Sequence, residues 1–203
     1  MATNYWLLRA FPEQNNHYSI FKEEKVIGLG WSNLNDLTNN DLNDLGSLFK
    51  EKGYPAASPQ SMGRRAGFFK RFIKEMKVGD YVLVPDGMGE ISIGIVNSEY
   101  YYKKITKDLA HVRNITWVKI MNFQDFPPKI QQLLSNRLTM ISLEKVSKEL
   151  EILIKNDIQL TLQTSKKNTF NAAINNKNIR LELDDDVTKT ELEFFIKSIL
   201  ESY

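Results

Sequence analysis

Residues 25–36 read KVIGLGWSNLND: a short apolar run, two glycines one residue apart, then the largest apolar side chain, followed by polar residues. Two readings compete for this stretch. If Gly28 and Gly30 opened a dinucleotide-binding fingerprint, a third glycine would stand at position 33 and a helix would begin there. Asn33 occupies that position, no helix signal opens at it, and the chain contains no glycine-rich phosphate loop ending in Gly-Lys-Ser/Thr. The stretch is therefore expected to be a strand that ends in a sharp turn, with the glycines as permissive backbone positions. Trp31 and Ser32 then stand at the lip of the turn, outside the strand.

Outward from this turn, NYWLLRA reads as a first strand and HYSIFKEEK as a short helix leading into VIGLGW. Thr38 and Asp41 have the spacing of a capping box, Leu42, Leu45, Leu48 and Phe49 recur at helical spacing, and Gly53 with Pro55 supplies a stop. GYPAASPQS reads as a loop. GRRAGFFKRFIKEMKVGD predicts a helix with Phe69, Phe72, Ile73 and Met76 on one stripe and Lys70, Lys74 and Lys77 on the other side, ended by Gly79. DYVLV and EISIGIVN flank a proline-glycine turn as a hairpin, and HVRNITWVKI alternates so that Arg113, Ile115, Trp117 and Lys119 share a face. A proline-bounded loop, a short helix and a last extended segment follow, up to about residue 143.

From Ser142 onward the character changes. SKELEILIKN is a helix candidate, DIQLTLQTS and NIRLEL are strand candidates, and the asparagine-rich TSKKNTFNAAINNKN between them reads as a connection. The closing TKTELEFFIKSILESY has capping-box spacing at Thr188 and Glu191, with Leu192, Phe195, Ile196 and Ile199 as an apolar stripe. The pattern is α+β, with a partly closed sheet in residues 1–143 and a small α/β unit in 144–203.

The 203 residues, 42% of them hydrophobic, are enough for one ordinary core plus a small appendage. The absence of cysteine excludes disulfides, thiolate zinc sites and cysteine nucleophiles together, and fits a reducing compartment. No apolar run approaches the roughly 20 residues of a membrane span, and the first residues do not form a signal peptide, so the expectation is a soluble cytoplasmic protein. The net charge of +2 divides unevenly: 18 basic against 14 acidic residues in 1–143, and 9 against 11 in 144–203. Much of the basic excess lies between Met62 and Lys77, where Arg64, Arg65, Lys70, Arg71, Lys74 and Lys77 face the single acid Glu75.

Little of this supports catalysis. PDGMGEIS lacks the lysine of a nuclease carboxylate-lysine pair, because Ser92 stands where it would be needed. His17 and His111 are the only histidines, too few for a metal site or a nucleophile-base pair, and His111 fits a packing or hydrogen-bonding role. Asp184, Asp185 and Asp186 precede the closing helix, where negative charge complements the helix N-terminus. No catalytic residue, metal site or cofactor is expected. Basic and aromatic residues remain: lysine and arginine neutralise phosphates, and aromatic faces stack on exposed bases. Trp6 is expected in the core.

The series YWLLRA, IGLGWSNL, FFKRFIKEMKVGDYVLVP, ISIGIV, HVRNITWVKIMNF and LSNRLTMISL, in this order and spacing, resembles the PUA-like superfamily. In particular it resembles the EVE/YTH-like modules of Mrr-like and Mcr-type modification-dependent restriction proteins. The resemblance spans residues 4–143 and implies a small β-barrel with flanking helices that holds one methylated, extruded base in an aromatic cage. It implies Trp31 and Trp117 as cage walls, Phe123 or Phe126 as a third wall, and Ser32, Asn15 and Asn16 as contacts to the base edge, without choosing between the asparagines. Arg64, Arg65, Lys70, Lys74, Lys77, Arg113 and Lys119 are the phosphate-binding candidates.

The expected function is non-catalytic recognition of modified DNA, as the specificity part of a restriction or defence system whose nuclease or motor resides in a partner chain or a longer parent protein. An RNA-binding PUA-like domain is the alternative. A protein-interaction adaptor is a third reading, and residues 144–203 are expected to serve docking or dimerisation.

Overall fold

In the computed structural model the chain divides into two units, residues 1–147 and 148–203. The structure describes residues 3–155 and the backbone of strands 159–162, 169–174 and 177–182. The closing helix expected over 188–203 and the aspartates 184–186 lie outside the described residues.

The first unit is a mixed α/β structure built on a curled, half-barrel sheet. Strands β1 (Tyr5–Leu8) and β3 (Tyr81–Pro85) run parallel at its centre. Both are almost continuously apolar, as strands covered on two faces must be. Trp6, Leu8, Val82 and Val84 enter the main core. By strand alternation Tyr5, Leu7 and Leu83 point the other way, and they too are buried. Beyond β1 lies the short β7 (Met140–Ser142), antiparallel to it.

On the other side of β3, β4 (Glu90–Val96) forms the expected hairpin. The turn between them has Gly87 and Gly89 at positive φ. It is closed by Asp86, whose Oδ1 accepts the N–H groups of Met88, Gly89 and Glu90.

The sheet curls around β6 (Leu109–Asn122), the longest strand. Its second half pairs with β4, and its first half pairs with β2 (Val26–Leu29) on one side and β5 (Tyr101–Thr106) on the other. A bulge where Ile93 and Gly94 face Lys119 and Trp117 bends the ladder. Gly94 also admits the Trp117 ring: a Cβ there would lie 2.6 Å from the Ile115 side chain and 3.0 Å from Trp117 Cε3.

Three helices cover the main core. α1 (Tyr18–Glu23) contributes Phe21, α2 (Leu45–Glu51) Leu45 and Phe49, and α3 (Pro59–Lys70) Phe68 and Phe69, all buried. α2 starts later than its leucine spacing predicts. Asp36 Oδ1 takes the N–H and hydroxyl of Thr38, and Asp41 Oδ1 takes the N–H of Asn43, so local turns replace the capping box.

α3 starts earlier than expected, inside the segment read as a loop: Pro59 opens it and Ser58 and Ser61 cap each other. A π-helical turn, Arg71–Glu75, continues α3 and buries Phe72 and Ile73. α4 (Pro128–Leu134) and α5 (Ser147–Lys155) complete the helices of the described residues.

In the second unit β8 (Gln159–Leu162), β9 (Thr169–Ile174) and β10 (Lys177–Glu182) form an antiparallel sheet in sequence order. β9 lies within the asparagine-rich stretch read from sequence as a connection. No described helix is long and apolar enough to cross a membrane.

Candidate functional site

At the end of β2 the backbone of Trp31 sits at φ 61°, ψ 47°, a left-handed conformation that is unusual for a bulky side chain. The two glycines before it do not share this conformation. Their reason is space. A Cβ on Gly28 would lie 2.6 Å from the carbonyl oxygen of His111, and one on Gly30 would lie 2.9 Å from Glu13 Cγ and 3.1 Å from the Asp108 carbonyl oxygen. The expectation that the glycines provide the turn is thus corrected: they admit neighbouring backbone, and Trp31 itself makes the turn.

Strain of this kind costs on the order of 1–3 kcal/mol and persists only where the surroundings fix it. Here they do. The Trp31 N–H donates to Glu13 Oε1 at 2.6 Å, and its carbonyl accepts from Leu34 N–H at 3.0 Å and from His111 Nε2 at 3.3 Å. Glu13, Gln14 and Asn35 are likewise at positive φ. Four of the five described non-glycine residues at positive φ therefore belong to the segments 13–14 and 31–35.

A buried chain of hydrogen bonds sets the His111 tautomer. The Trp31 carbonyl can only accept, so His111 Nε2 carries the proton, and Nδ1 of the neutral ring accepts the Tyr100 hydroxyl at 2.9 Å while the Tyr100 oxygen accepts the Leu37 N–H. Burial pushes His111 down to about 4, against the smaller opposing effects of that hydrogen bond and of Asp36. The same burial pushes Tyr100 up to about 12. Both groups are neutral near pH 7, and the network holds without net charge.

The indole is half-buried. Phe49 and Phe69 pack against it at ring distances of 5.7 and 5.6 Å, and the Arg65 guanidinium lies 6.0 Å from its centroid. Arg65 is anchored by Nη1 to the carbonyls of Tyr54 and Pro55. Ser32 is buried and its Oγ has no hydrogen-bond partner, while its carbonyl accepts from the Tyr102 hydroxyl. An orphaned buried hydroxyl costs about 1–3 kcal/mol.

Of the residues expected in the site, Trp31, Ser32 and Arg65 meet here. Arg64 is exposed beside Arg65 on α3. Asn15 is exposed nearby, tied to Asp108 Oδ2, and Asn16 accepts the Tyr18 N–H at the start of α1.

Trp117 is elsewhere. Leu29 pairs with His111, and Trp117 lies six residues further along β6, on the order of 20 Å at strand rise. Its Nε1 donates to the Phe21 carbonyl, and Lys22 Nζ sits 4.5 Å over its ring. It fastens α1 to the sheet and borders a separate cleft of about 560 Å³ with Glu24, Lys25, Asn97 and Asn114. The two tryptophans do not form a cage.

Phe126 is corrected as well: it is 2% exposed and no wall of an open site. Phe123 lines a different cleft with Arg9, Gly89 and Arg137. Arg113 is fully buried, with Nε donating to the Phe72 carbonyl, Nη2 to those of Ile73 and Met76, and Nη1 to that of Ser98. Its face of β6 points into the core, so it is no phosphate ligand. Lys119 is half-buried beyond Trp117, and Lys70, Lys74 and Lys77 are exposed toward the end of α3 and its π-turn.

One cluster has nucleophile chemistry. Lys22 Nζ lies 3.0 Å and Tyr18 Oη 2.6 Å from Ser92 Oγ, and desolvation lowers the Lys22 pKa. Ser92 is fully buried, which closes it to a substrate. Among the described residues no group of three or more acidic or histidine side chains is placed to hold a metal ion.

Sequence reasoning passed over Glu13, Tyr100 and Tyr102. No local pattern marks them, because their contacts to Trp31, Ser32 and His111 span 11 to 70 positions.

The family described as a domain of unknown function, DUF8426, matches residues 6–147, which coincides with the first unit except at its first residues. No curated protein matches the chain.

Proposed function

The chain belongs to the DUF8426 family, and from the geometry of the Trp31 turn we propose that its first unit is a PUA-like, EVE/YTH-like module that binds a modified base of DNA on the Trp31 platform. The observation that carries this reading is the left-handed backbone of a half-buried tryptophan, held by Glu13, Leu34 and His111. Presenting an indole in this way costs conformational energy that core packing alone does not require.

One aromatic wall contributes roughly 1–3 kcal/mol of stacking, and Arg65 lies over the same ring as a cation. The Ser32 hydroxyl, expected at the base edge, is buried and unpaired, which closes it to a base as it closes Ser92 to a substrate. Base extrusion costs a few kcal/mol, so contacts to the flanking backbone must supplement the single wall. The reaction that follows recognition belongs in this reading to a nuclease or motor partner, and RNA is the competing ligand.

The test is a titration of matched methylated and unmethylated DNA and RNA oligonucleotides at fixed salt. Wild type should prefer one methylated DNA, and Trp31→Ala should lose that preference while keeping its fold. Trp117→Ala should lower thermal stability without changing the preference ratio of the folded protein. A ratio near one for every pair in wild type would overturn the proposal, and a preference for RNA would move the module to the RNA-binding reading.

A further inference from the structure

Two clusters of exposed lysines stand out on this unit, and the fold gives one of them a structural explanation. Lys70, Lys74 and Lys77 lie toward the C-terminal end of α3 and its π-turn, where carbonyl groups converge and positive charge is favoured. Lys77 Nζ donates to the Lys74 carbonyl, and Arg113 takes three more carbonyls from residues 72–76.

The second group is Lys103, Lys104 and Lys107 on the β5–β6 hairpin. All three are exposed, and none makes a hydrogen bond or ion pair among the described residues. A regular strand with one packed face would turn Lys103 and Lys104 to opposite sides. The register of β5 against β6 shifts between Tyr102 and Thr106, and both lysines stand in solvent. Bulges of this kind re-aim side chains and concentrate next to functional sites.

This hairpin is bolted to the Trp31 rim at several points. The Tyr102 hydroxyl donates to the Ser32 carbonyl at 2.9 Å, Thr106 Oγ1 meets His17 Nε2 at 3.2 Å, and Asp108 Oδ2 accepts from Asn15 at 2.8 Å. The Asp108 backbone carbonyl closes against Gly30. The one acid in the hairpin turn is thus already engaged, and the three cations project from a scaffold fixed relative to the indole.

We propose that the β5–β6 hairpin, not the end of α3, carries the phosphate contacts of the bound strand, with Lys103, Lys104 and Lys107 engaging the backbone that flanks a base seated on Trp31. This rests on the nucleic-acid reading above. It supplies the contacts that a single-walled base site needs, and it assigns them to residues with no other partner.

The test uses the full chain and a fluorescein-labelled single-stranded DNA oligonucleotide carrying one methylated base, titrated by anisotropy from about 50 to 200 mM salt. K103A/K104A/K107A should bind on the order of 10-fold or more weakly at the low end. The slope of log affinity against log salt should be shallower by about 2, from roughly 0.7 per lost single-strand contact. K103Q/K104Q/K107Q, which removes the charge but keeps a polar side chain, should behave alike, and both variants should melt like wild type.

K70A/K74A/K77A should stay within about 3-fold of wild type with an unchanged slope. Loss of affinity in the α3 variant alone, or equal loss in both, would overturn the assignment to the hairpin while leaving the base platform standing. Salt-independent or undetectable binding by wild type itself would remove the nucleic-acid reading, and this inference with it.

Discussion

Trp31 and His111 depend on each other through one hydrogen bond, and the dependence has a pH signature. The folded-state pKa of His111, about 4, lies below the unfolded value of about 6.5. Between those two values the unfolded chain binds the additional proton, so stability from this group is present above pH 6.5 and is lost as the pH falls toward 4. The expected loss is roughly 2 kcal/mol between pH 6.5 and 5, and about 3 kcal/mol in all, at about 1.4 kcal/mol per unit. Urea unfolding across this range measures it. His111→Gln should flatten the dependence, and an unchanged slope in that variant would assign the acid sensitivity to other groups.

Arg113 is the other residue whose role only burial reveals. Desolvation lowers its pKa, Glu99 opposes the effect at 3.5 Å, and the guanidinium binds backbone carbonyls from two segments. Arg113→Met should therefore cost about 3–5 kcal/mol, because it strands buried acceptors. A denaturant midpoint near wild type would contradict that role.

At the scale of elements, β2 and β6 approach so closely that glycine is required at position 28. A Cβ at Gly28 would meet a backbone oxygen at 2.6 Å and the side chains of Leu109 and Val112 at 2.7 and 2.9 Å. Gly28→Ala should destabilise by roughly 1–3 kcal/mol through this overpacking. Gly53→Ala, at a positive φ with open space around it, should cost less, through backbone strain alone. Equal midpoints for the two variants in thermal melts would refute the distinction.

The apolar stripe of α3 and its π-turn was legible because Phe69, Phe72 and Ile73 recur at helical spacing, and all are buried; Met76 is buried too, but in extended backbone, so the helix ends before the expected stop at Gly79. The start of α3 was missed because Ser58-Pro59 also reads as a loop. β5 was missed because YYKKIT is half polar, and its pairing with β6 shifts register.

For the whole molecule, the family match ends at residue 147, where the first unit ends. A chain truncated after residue 155 should retain cooperative unfolding, since the main core is drawn from residues 6–140. It should also retain the nucleic-acid affinity of the full chain. Loss of the cooperative transition would show that the second unit is needed for the first to fold.

By itself the amino-acid sequence determined the α+β class, the β3–β4 hairpin, the core role of Trp6 and the placement of Trp31 in a turn after a strand. These follow from periodicity and turn chemistry, which act over a few residues. Tertiary structure alone decided that Trp31 and Trp117 stand far apart, that Arg113 serves the core and that the hairpin bearing Lys103, Lys104 and Lys107 is hydrogen-bonded to the Trp31–Ser32 turn. Strand register along β6 sets those distances, and register is fixed by contacts between residues up to about a hundred positions apart.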